Sequence, residues 1–299
     1  MSAPSSASST APAIIEAAIN GGTRKEQNPN VPLTEDELVA DALACLDAGA
    51  AIIHHHITAS RLSGDEAADV YLGVWRRVLA ERPDALWYPT INFGPDAERY
   101  AHIPPLAASG LLRLSLSDPG SVNLGVDDGG IPAGDFVYRN SFADVAHQLD
   151  LCHEHGLGPS IAAYEPGFVR AIVAYQRAGR LPAGAMVKLY LCADRGLTGT
   201  PFGLPVTTTA LDAYLELLDG TGIEWAVSAV GDDLGRSPVI RPALERGGHL
   251  HVGLEFHGGD RTPTNVELVT EAAAVCAEVG RPVATCAEAA AILGLPSPT

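Results

Sequence analysis

The segment TEDELVADALACLDAGAAIIHHH, residues 34–56, contains the repeating unit that decides the fold. Its first part is typical of a helix, because Thr34 and Glu37 have the spacing of a capping box and Gly49 is a usual C-terminal stop. The apolar run that follows, residues 50–56, has the length of a buried strand and ends in three histidines. A helix followed at once by a buried strand predicts one unit of an alternating α/β fold.

Seven further segments have the same strand-like pattern. They are IIEAAIN (14–20), LWYPTIN (86–92), LLRLSLS (111–117), PSIAAYE (159–165), MVKLYLC (186–192), EWAVSAVG (224–231) and HLHVGLE (249–255). Helix-like segments such as 141–156 and 264–280 lie between them, and both begin at Ser or Thr and end at Gly. Eight units predict one (β/α)8 TIM barrel over residues 14–299, since a closed barrel has no unpaired edge strand. An open parallel sheet is the alternative, and residues 1–13 are expected to form a disordered tail.

The composition argues against several classes of protein. The chain has 299 residues, of which 19 are basic and 36 acidic, and its net charge of −17 opposes binding to nucleic acid or an anionic membrane. Its apolar runs are shorter than the roughly 20 residues of a membrane helix. The five cysteines include no CxxC pair, which indicates neither a disulfide scaffold nor a thiolate zinc site. The N-terminus lacks the features of a secretory signal, and we expect a cytoplasmic protein.

The histidine run at the end of the second candidate strand indicates a metal site. His54 and His56 are two residues apart, so both point into the barrel, whereas His55 points toward the helices. Active sites of such barrels lie at the C-terminal strand ends, and imidazole binds zinc and similar ions. Glu255 ends the eighth strand, which only the first strand separates from the second. We therefore predict a divalent ion on His54, His56 and Glu255, with a solvated or structural strand end as the alternative.

Several motifs of the chain resemble those of the β-keto acid cleavage enzymes. They are AAINGG (17–22), NPNVPLT (28–34), GAAIIHHH (49–56), GGHLHVGLE (247–255), and TNVELV (264–269) followed by GRPVATCAEAAAILGL (280–295). The resemblance implies a (β/α)8 barrel, a homo-oligomer in which a tetramer is favoured, and Zn²⁺ on His54, His56 and Glu255. It also implies that a β-keto acid and acetyl-CoA react to give acetoacetate and the CoA ester of the remaining fragment.

Three positions depart from the usual pattern of that family. Phe256 stands where relatives usually have an aspartate, and His251 stands where they usually have an arginine. The fifth strand reads PSIA at residues 159–162 in place of PExE, so another acid is absent. These departures leave two alternatives open: a CoA-independent metal-dependent lyase, hydrolase or isomerase on an oxo acid, or a catalytically inactive metal-binding barrel.

Glu165 and His251 are the candidate catalytic residues. Glu165 ends the fifth candidate strand and could act as a general base or accept hydrogen bonds from backbone donors at a helix start. His251 shares the inward direction of Glu255, and an imidazole titrates near neutrality, so it could transfer protons or be a buried structural histidine. His257 is a further candidate for proton transfer or a loop residue.

Polar and basic residues after other strands are candidates for binding the substrates. Thr90 falls where the family has a small hydroxyl residue that binds the keto acid, and DPGSVN (118–123) resembles a family loop. The candidates for substrate binding are Asn20, Thr90, Asn92, Ser117 and Asp118. The candidates for pairing with phosphates of coenzyme A are Arg24, Lys25, Arg61, Arg195 and Arg261. The expected partners are therefore a small β-keto acid and acetyl-CoA.

Overall fold

Eight parallel strands form one sheet in the computed structural model, which describes residues 10–58, 62, 64–92, 98–196 and 198–296. The strands are β1 (Ile15–Ala18), β2 (Ile52–His55), β3 (Leu86–Pro89), β4 (Leu114–Ser117), β5 (Gly158–Ala163), β6 (Met186–Cys192), β7 (Glu224–Val230) and β8 (His249–Val252). Their order is β3-β2-β1-β8-β7-β6-β5-β4. Because β3 and β4 are also neighbours in space, the sheet curls into a nearly closed barrel. The predicted barrel is confirmed.

Helices connect the strands and cover the barrel. They are α1 (Glu35–Ala48), α2 (Gly64–Glu81), α3 (Ile103–Ala108), α4 (Phe142–His155), α5 (Pro166–Arg177), α6 (Thr208–Leu218), α7 (Ile240–Glu245), α8 (Asn265–Glu278) and α9 (Cys286–Leu293). The capping box predicted for α1 is present, since the side chain of Thr34 accepts from the backbone N–H of Glu37. Gly49 ends α1 in the left-handed conformation, with φ of 115°. The local signals in the sequence thus set both ends of α1.

The connection between β4 and α4, residues 118–141, contains two short antiparallel strand pairs that the sequence pattern did not predict. Val122–Asn123 pairs with Val137–Tyr138, and Val126–Asp128 pairs with Ile131–Ala133. We call this segment the β4–α4 excursion. Its return strand brings Tyr138 back to the end of β4, where its hydroxyl donates a hydrogen bond to Asp118.

The N-terminal end of the described chain packs onto the barrel. Ala13 is buried, and its N–H donates to the carbonyl of Pro282 at 2.8 Å. The guanidinium of Arg281 donates to the carbonyls of Ala11 and Pro12. Residues 11–13 therefore pack against the barrel and do not belong to the disordered tail that was expected over residues 1–13. Residues 1–9 lie outside the described part of the chain.

The described residues also bear on the cysteines and on membrane insertion. Within them, no helix combines the length and the apolar character needed to cross a bilayer. The five cysteines are buried free thiols.

Candidate metal centre

Three metal-ligating side chains meet at the C-terminal end of the barrel. His54 lies in β2, His56 follows the end of that strand, and Glu255 lies in the turn after β8. The Nε2 atoms of His54 and His56 are each 3.3 Å from a carboxylate oxygen of Glu255. One ligand atom from each residue lies within 4.8 Å of the other two. The structure thus brings together the three residues that strand direction predicted.

The donor atoms of this cluster suit a divalent ion. The Nδ1 atom of His54 is 3.1 Å from the carbonyl oxygen of Tyr88, and an N–H there leaves Nε2 free as a ligand. Burial lowers the pKa of His54 well below its usual value, so this imidazole is neutral. The Oε2 atom of Glu255 is buried and has no hydrogen-bond partner among the described residues. A neutral imidazole and an unpaired carboxylate oxygen fit an ion such as Zn²⁺.

His55 points away from this cluster, as predicted. Its Nε2 atom accepts a hydrogen bond of 2.8 Å from the indole N–H of Trp75 in α2. Burial lowers the pKa of His55 to about 4, which keeps it neutral in the helical layer. His55 is therefore a structural contact between β2 and α2.

Asn20 supports His56 and has no side-chain atom left for substrate. Its Oδ1 accepts from the backbone N–H groups of His56 and Gly21, both at 2.8 Å. Its amide nitrogen donates to the carbonyl of His56 at 2.9 Å. The prediction that Asn20 binds substrate is not supported, because the side chain instead holds the backbone of a metal-ligand candidate.

A cavity of about 650 Å³ has all three ligand candidates in its wall. This volume suits a small-molecule site. Polar lining residues include Arg24, Thr90, Asp118 and Arg195, and aromatic lining residues include Tyr138, Tyr164, Tyr190 and Phe256. Two of the five predicted substrate-binding residues, Thr90 and Asp118, therefore lie at the cavity.

Asn92 and Ser117 do not lie in the described wall of this cavity. The amide nitrogen of Asn92 donates to the carbonyl of Leu62 at 2.8 Å. Ser117 is fully buried and, by strand alternation, points away from the face that Leu116 presents to the cavity. Substrate contact is therefore not supported for either residue.

The two candidate catalytic residues also lie outside the described cavity wall. The Oε1 atom of Glu165 accepts from the backbone N–H of Gly203 at 3.0 Å, so this carboxylate fixes the loop after β6. His251 is buried inside the barrel, where its Nδ1 atom is 3.1 Å from the hydroxyl of Ser228. Burial lowers the pKa of His251 well below its usual value. His257, the third candidate, bridges to Asp232 through its backbone.

A buried polar cluster beneath the metal centre was missed at the level of sequence. The Nζ atom of Lys188 in β6 is 2.5 Å from the hydroxyl of Tyr88 and 3.5 Å from Oε1 of Glu16. His251 approaches the same Glu16 oxygen at 3.4 Å. Burial raises the pKa of Glu16, and the nearby Lys188 opposes this effect. The available signal was a single charged residue inside each of two apolar strand segments, IIEAAIN and MVKLYLC.

The predicted basic residues differ in their freedom to bind phosphate. Arg24 and Arg195 are exposed and line the cavity. Lys25 pairs with Glu37 at 2.8 Å, outside the described wall. The guanidinium of Arg261 is held by two carboxylates, Asp233 at 2.7 Å and Glu271 at 2.5 Å. Arg61 lies outside the described residues.

Comparison with known proteins agrees with this fold and identifies the family. The sequence pattern of the beta-keto acid cleavage enzyme family matches residues 12–295. The chain is 29% identical to 3-oxoadipate:acetyl-CoA acetyltransferase of Cupriavidus necator, over 96% of each chain. It is 25% identical to 3-keto-5-aminohexanoate cleavage enzyme of Acetoanaerobium sticklandii, over 94% of this chain and 98% of the relative.

A solved structure shows the same fold. The ternary complex of ObcA with C4-CoA adduct and oxalate has a TM-score of 0.65 at 16% identity, over 89% of this chain and 68% of that chain. At this identity the likeness concerns the barrel alone. Because the family pattern spans nearly the whole sequence, the chain belongs to the β-keto acid cleavage enzymes, which are carbon–carbon bond-cleaving acyltransferases.

Proposed function

We propose that this protein is a divalent-metal-dependent enzyme that cleaves a β-keto acid, transfers its acyl fragment to CoA and releases acetoacetate, with acetyl-CoA as the second substrate. The observation that carries the proposal is the convergence of His54, His56 and Glu255 in the wall of a 650 Å³ cavity. The names of the two relatives, one an acetyl-CoA acetyltransferase and the other a keto acid cleavage enzyme, support the same chemistry.

The residues of the cavity have separable roles in this proposal. His54, His56 and Glu255 hold the ion, for which we propose Zn²⁺. Bound there, a divalent ion acts as a Lewis acid that polarises the keto group and stabilises the negative charge developed during bond exchange. The hydroxyl of Thr90 is available in the cavity wall as a donor to the keto acid.

Arg24 and Arg195 are the proposed contacts for the phosphates of coenzyme A. Both are cations in the wall of the cavity, and the side chain of Arg24 is 72% exposed. A protein of net charge −17 repels an anionic cosubstrate at long range, so local positive charge is required at the site of binding. We further propose a homo-oligomer, as the family resemblance implies, and a cytoplasmic location.

Formation of acetoacetate tests the proposal directly. Purified protein loaded with Zn²⁺ is incubated with acetyl-CoA and a panel of β-keto acids that differ in side chain, and acetoacetate and the new CoA ester are quantified. We expect both products in equal amounts with at least one keto acid. Consumption of keto acid without acetoacetate or CoA ester would overturn the proposal in favour of a CoA-independent lyase, hydrolase or isomerase.

Two variants control this assay. Glu255→Gln keeps the volume of the side chain but removes a charged ligand, and we expect loss of activity. Glu165→Gln keeps an oxygen that can accept from Gly203, and Glu165 is not in the described cavity wall. We expect Glu165→Gln to lose less than tenfold in rate, whereas removal of a general base costs roughly 10²-fold to 10⁴-fold. A loss within that larger range would restore Glu165 as the base.

A further inference from the structure

Four aromatic side chains form a continuous series of ring contacts along the cavity. The ring centroids of Tyr138 and Tyr164 are 5.7 Å apart, those of Tyr164 and Tyr190 are 5.1 Å apart, and those of Tyr190 and Phe256 are 5.0 Å apart. All four residues line the cavity. Since Phe256 directly follows Glu255, the series extends from the metal centre to Tyr138 in the β4–α4 excursion.

A buried carboxylate stands at the far end of this series. Asp118 lines the cavity and is 2% exposed. One of its oxygens, Oδ2, accepts from the hydroxyl of Tyr138, but Oδ1 is buried and has no hydrogen-bond partner among the described residues. Such an oxygen is costly to leave unpaired, and a ligand that supplies a cation or a donor removes that cost.

Among the described residues, no cationic side chain bonds directly to this carboxylate, although Lys188 and Arg99 lower its pKa through their charge. Arg99 is the buried guanidinium of the neighbouring loop, and its described bonds go to the carbonyl of Arg139 and to the amide oxygen of Asn140. Burial raises the pKa of Asp118 to about 6, which leaves it ionised at slightly alkaline pH. The cavity therefore offers negative charge in a poorly hydrated place, next to aromatic rings.

We propose that Asp118 and the aromatic series formed by Tyr138, Tyr164, Tyr190 and Phe256 bind a cationic nitrogen at the end of the substrate side chain. The inference rests on the proposed function, because it concerns the side chain of the β-keto acid substrate. The keto end of that substrate is proposed to bind at the metal centre. A cation above the face of a tyrosine is attracted by the ring, and an adjacent carboxylate adds a direct charge interaction. The substrate class is thus a β-keto acid with an alkylated or protonated amine on its tail.

Other kinds of tail fit the cavity less well. An anionic tail would meet the buried charge of Asp118, and repulsion is strong where little water screens it. A neutral alkyl tail would fill the aromatic wall but leave Oδ1 of Asp118 unpaired. Arg24 and Arg195 could attract an anion, but both are exposed, which suits the solvated phosphates of coenzyme A better than a buried tail.

Binding of matched ligands tests the inference separately from catalysis. Isothermal titration calorimetry at slightly alkaline pH is carried out on the Zn²⁺-loaded protein without acetyl-CoA. The ligands are four β-keto acids of equal chain length that end in trimethylammonium, primary ammonium, tert-butyl or carboxylate. We expect at least one cationic ligand to bind about tenfold more tightly than the neutral isostere, as one or two cation–π contacts supply. Equal binding of the cationic and neutral ligands, or tightest binding of the carboxylate, would overturn the inference.

Variants identify the side chains that are responsible for the preference for a cationic ligand. Asp118→Asn keeps the shape of the side chain, and we expect it to lower the preference for the cation to the part that the rings supply, while binding of the tert-butyl ligand stays within about twofold. Asp128→Asn removes a charge from an exposed site of the β4–α4 excursion and should leave the preference intact. Tyr164→Phe should keep most of the preference, because the ring remains, and Tyr164→Leu should lower it. An unchanged preference in Asp118→Asn would refute the assignment.

The two proposals fail in different ways. If acetoacetate forms with neutral or anionic keto acids and the cationic ligands gain nothing, the function stands and the tail assignment is wrong. If the cationic ligands bind preferentially but no keto acid yields acetoacetate, the binding site stands and the proposed reaction is wrong.

Discussion

Phe256 has the only positive φ, 75°, among the non-glycine residues that the structure describes. For a residue with a Cβ atom, this conformation costs roughly 1–2 kcal/mol. The ring is buried and contacts Tyr190, so its burial offsets that cost. Strained backbone of this kind is concentrated at functional sites, and Phe256 adjoins the metal-ligand candidate Glu255.

The strain at Phe256 predicts an unusual order of stability for two variants. Phe256→Ala and Phe256→Gly both lose the ring, but only glycine adopts a positive φ without steric cost. We expect Phe256→Gly to be the more stable of the two by about 1 kcal/mol in urea unfolding. Leu254, two residues away and without positive φ, is the control, where Ala should be the more stable replacement. Equal stability of the two Phe256 variants would show that the backbone is not strained.

At the scale of single residues, the sequence predicted the directions of side chains better than their hydrogen-bond partners. Strand alternation was sufficient to place His54 and His56 on the inside and His55 on the outside. The role of Asn20 could not be predicted, because its hydrogen bonds to His56 join residues 36 apart in sequence. Asp118 was found through a motif, but the hydrogen bond from Tyr138 to its Oδ2 atom depends on the return of the excursion, which the sequence did not predict.

At the scale of elements, the buried cluster of Glu16, Tyr88 and Lys188 links strands β1, β3 and β6 through the barrel interior. Glu16 and Lys188 are almost completely buried. Removing one member of a buried ion pair leaves an uncompensated charge, which costs roughly 3–5 kcal/mol. The cluster therefore makes the stability of the three strands interdependent.

A double-mutant cycle tests this coupling. Lys188→Met should lower the free energy of unfolding by about 3–5 kcal/mol, because Glu16 loses its cation. Lys188→Met combined with Glu16→Gln should be less destabilised than the sum of the single variants, since no buried charge is left unpaired. Urea unfolding of the wild type, the two single variants and the double variant gives the coupling energy. Additive effects would show that Glu16 and Lys188 do not stabilise each other.

The secondary structure elements themselves were largely predictable from local patterns. Each of the eight barrel strands lies within or overlaps its apolar segment, and the capping boxes at Thr34, Ser141 and Thr264 begin α1, α4 and α8. The two antiparallel pairs of the excursion were missed because they are only two or three residues long and mostly exposed. They have too few residues to show the alternation of a half-buried strand.

At the scale of the whole molecule, exposed hydrophobic side chains are concentrated at the β4–α4 excursion and the start of α4. In the described part of the chain these are Val126, Ile131, Phe136, Val137 and Phe142, of which Ile131 is 68% and Phe142 78% exposed. Grouped apolar surface of this kind marks an interaction site. We expect a second copy of the chain to cover it, which would make the excursion part of a subunit interface.

Sedimentation velocity tests the oligomer. Wild-type protein should sediment as an oligomer, and Ile131→Ser combined with Phe142→Ser should shift the distribution toward smaller species, because two exposed apolar groups leave the interface. Val70→Ser, which changes an exposed hydrophobic residue of α2, is the matched control and should leave the distribution unchanged. A monomeric wild-type protein would contradict this interface.

The metal content of purified protein tests the central claim most directly. Elemental analysis of protein loaded with Zn²⁺ and freed of excess metal should give about one ion per chain for the wild type, as expected for a three-ligand site with one open position. His54→Ala, His56→Ala and Glu255→Gln should each lose most of the metal, whereas His55→Ala, which alters the bond to Trp75, should retain it. Full metal occupancy in Glu255→Gln would contradict the account.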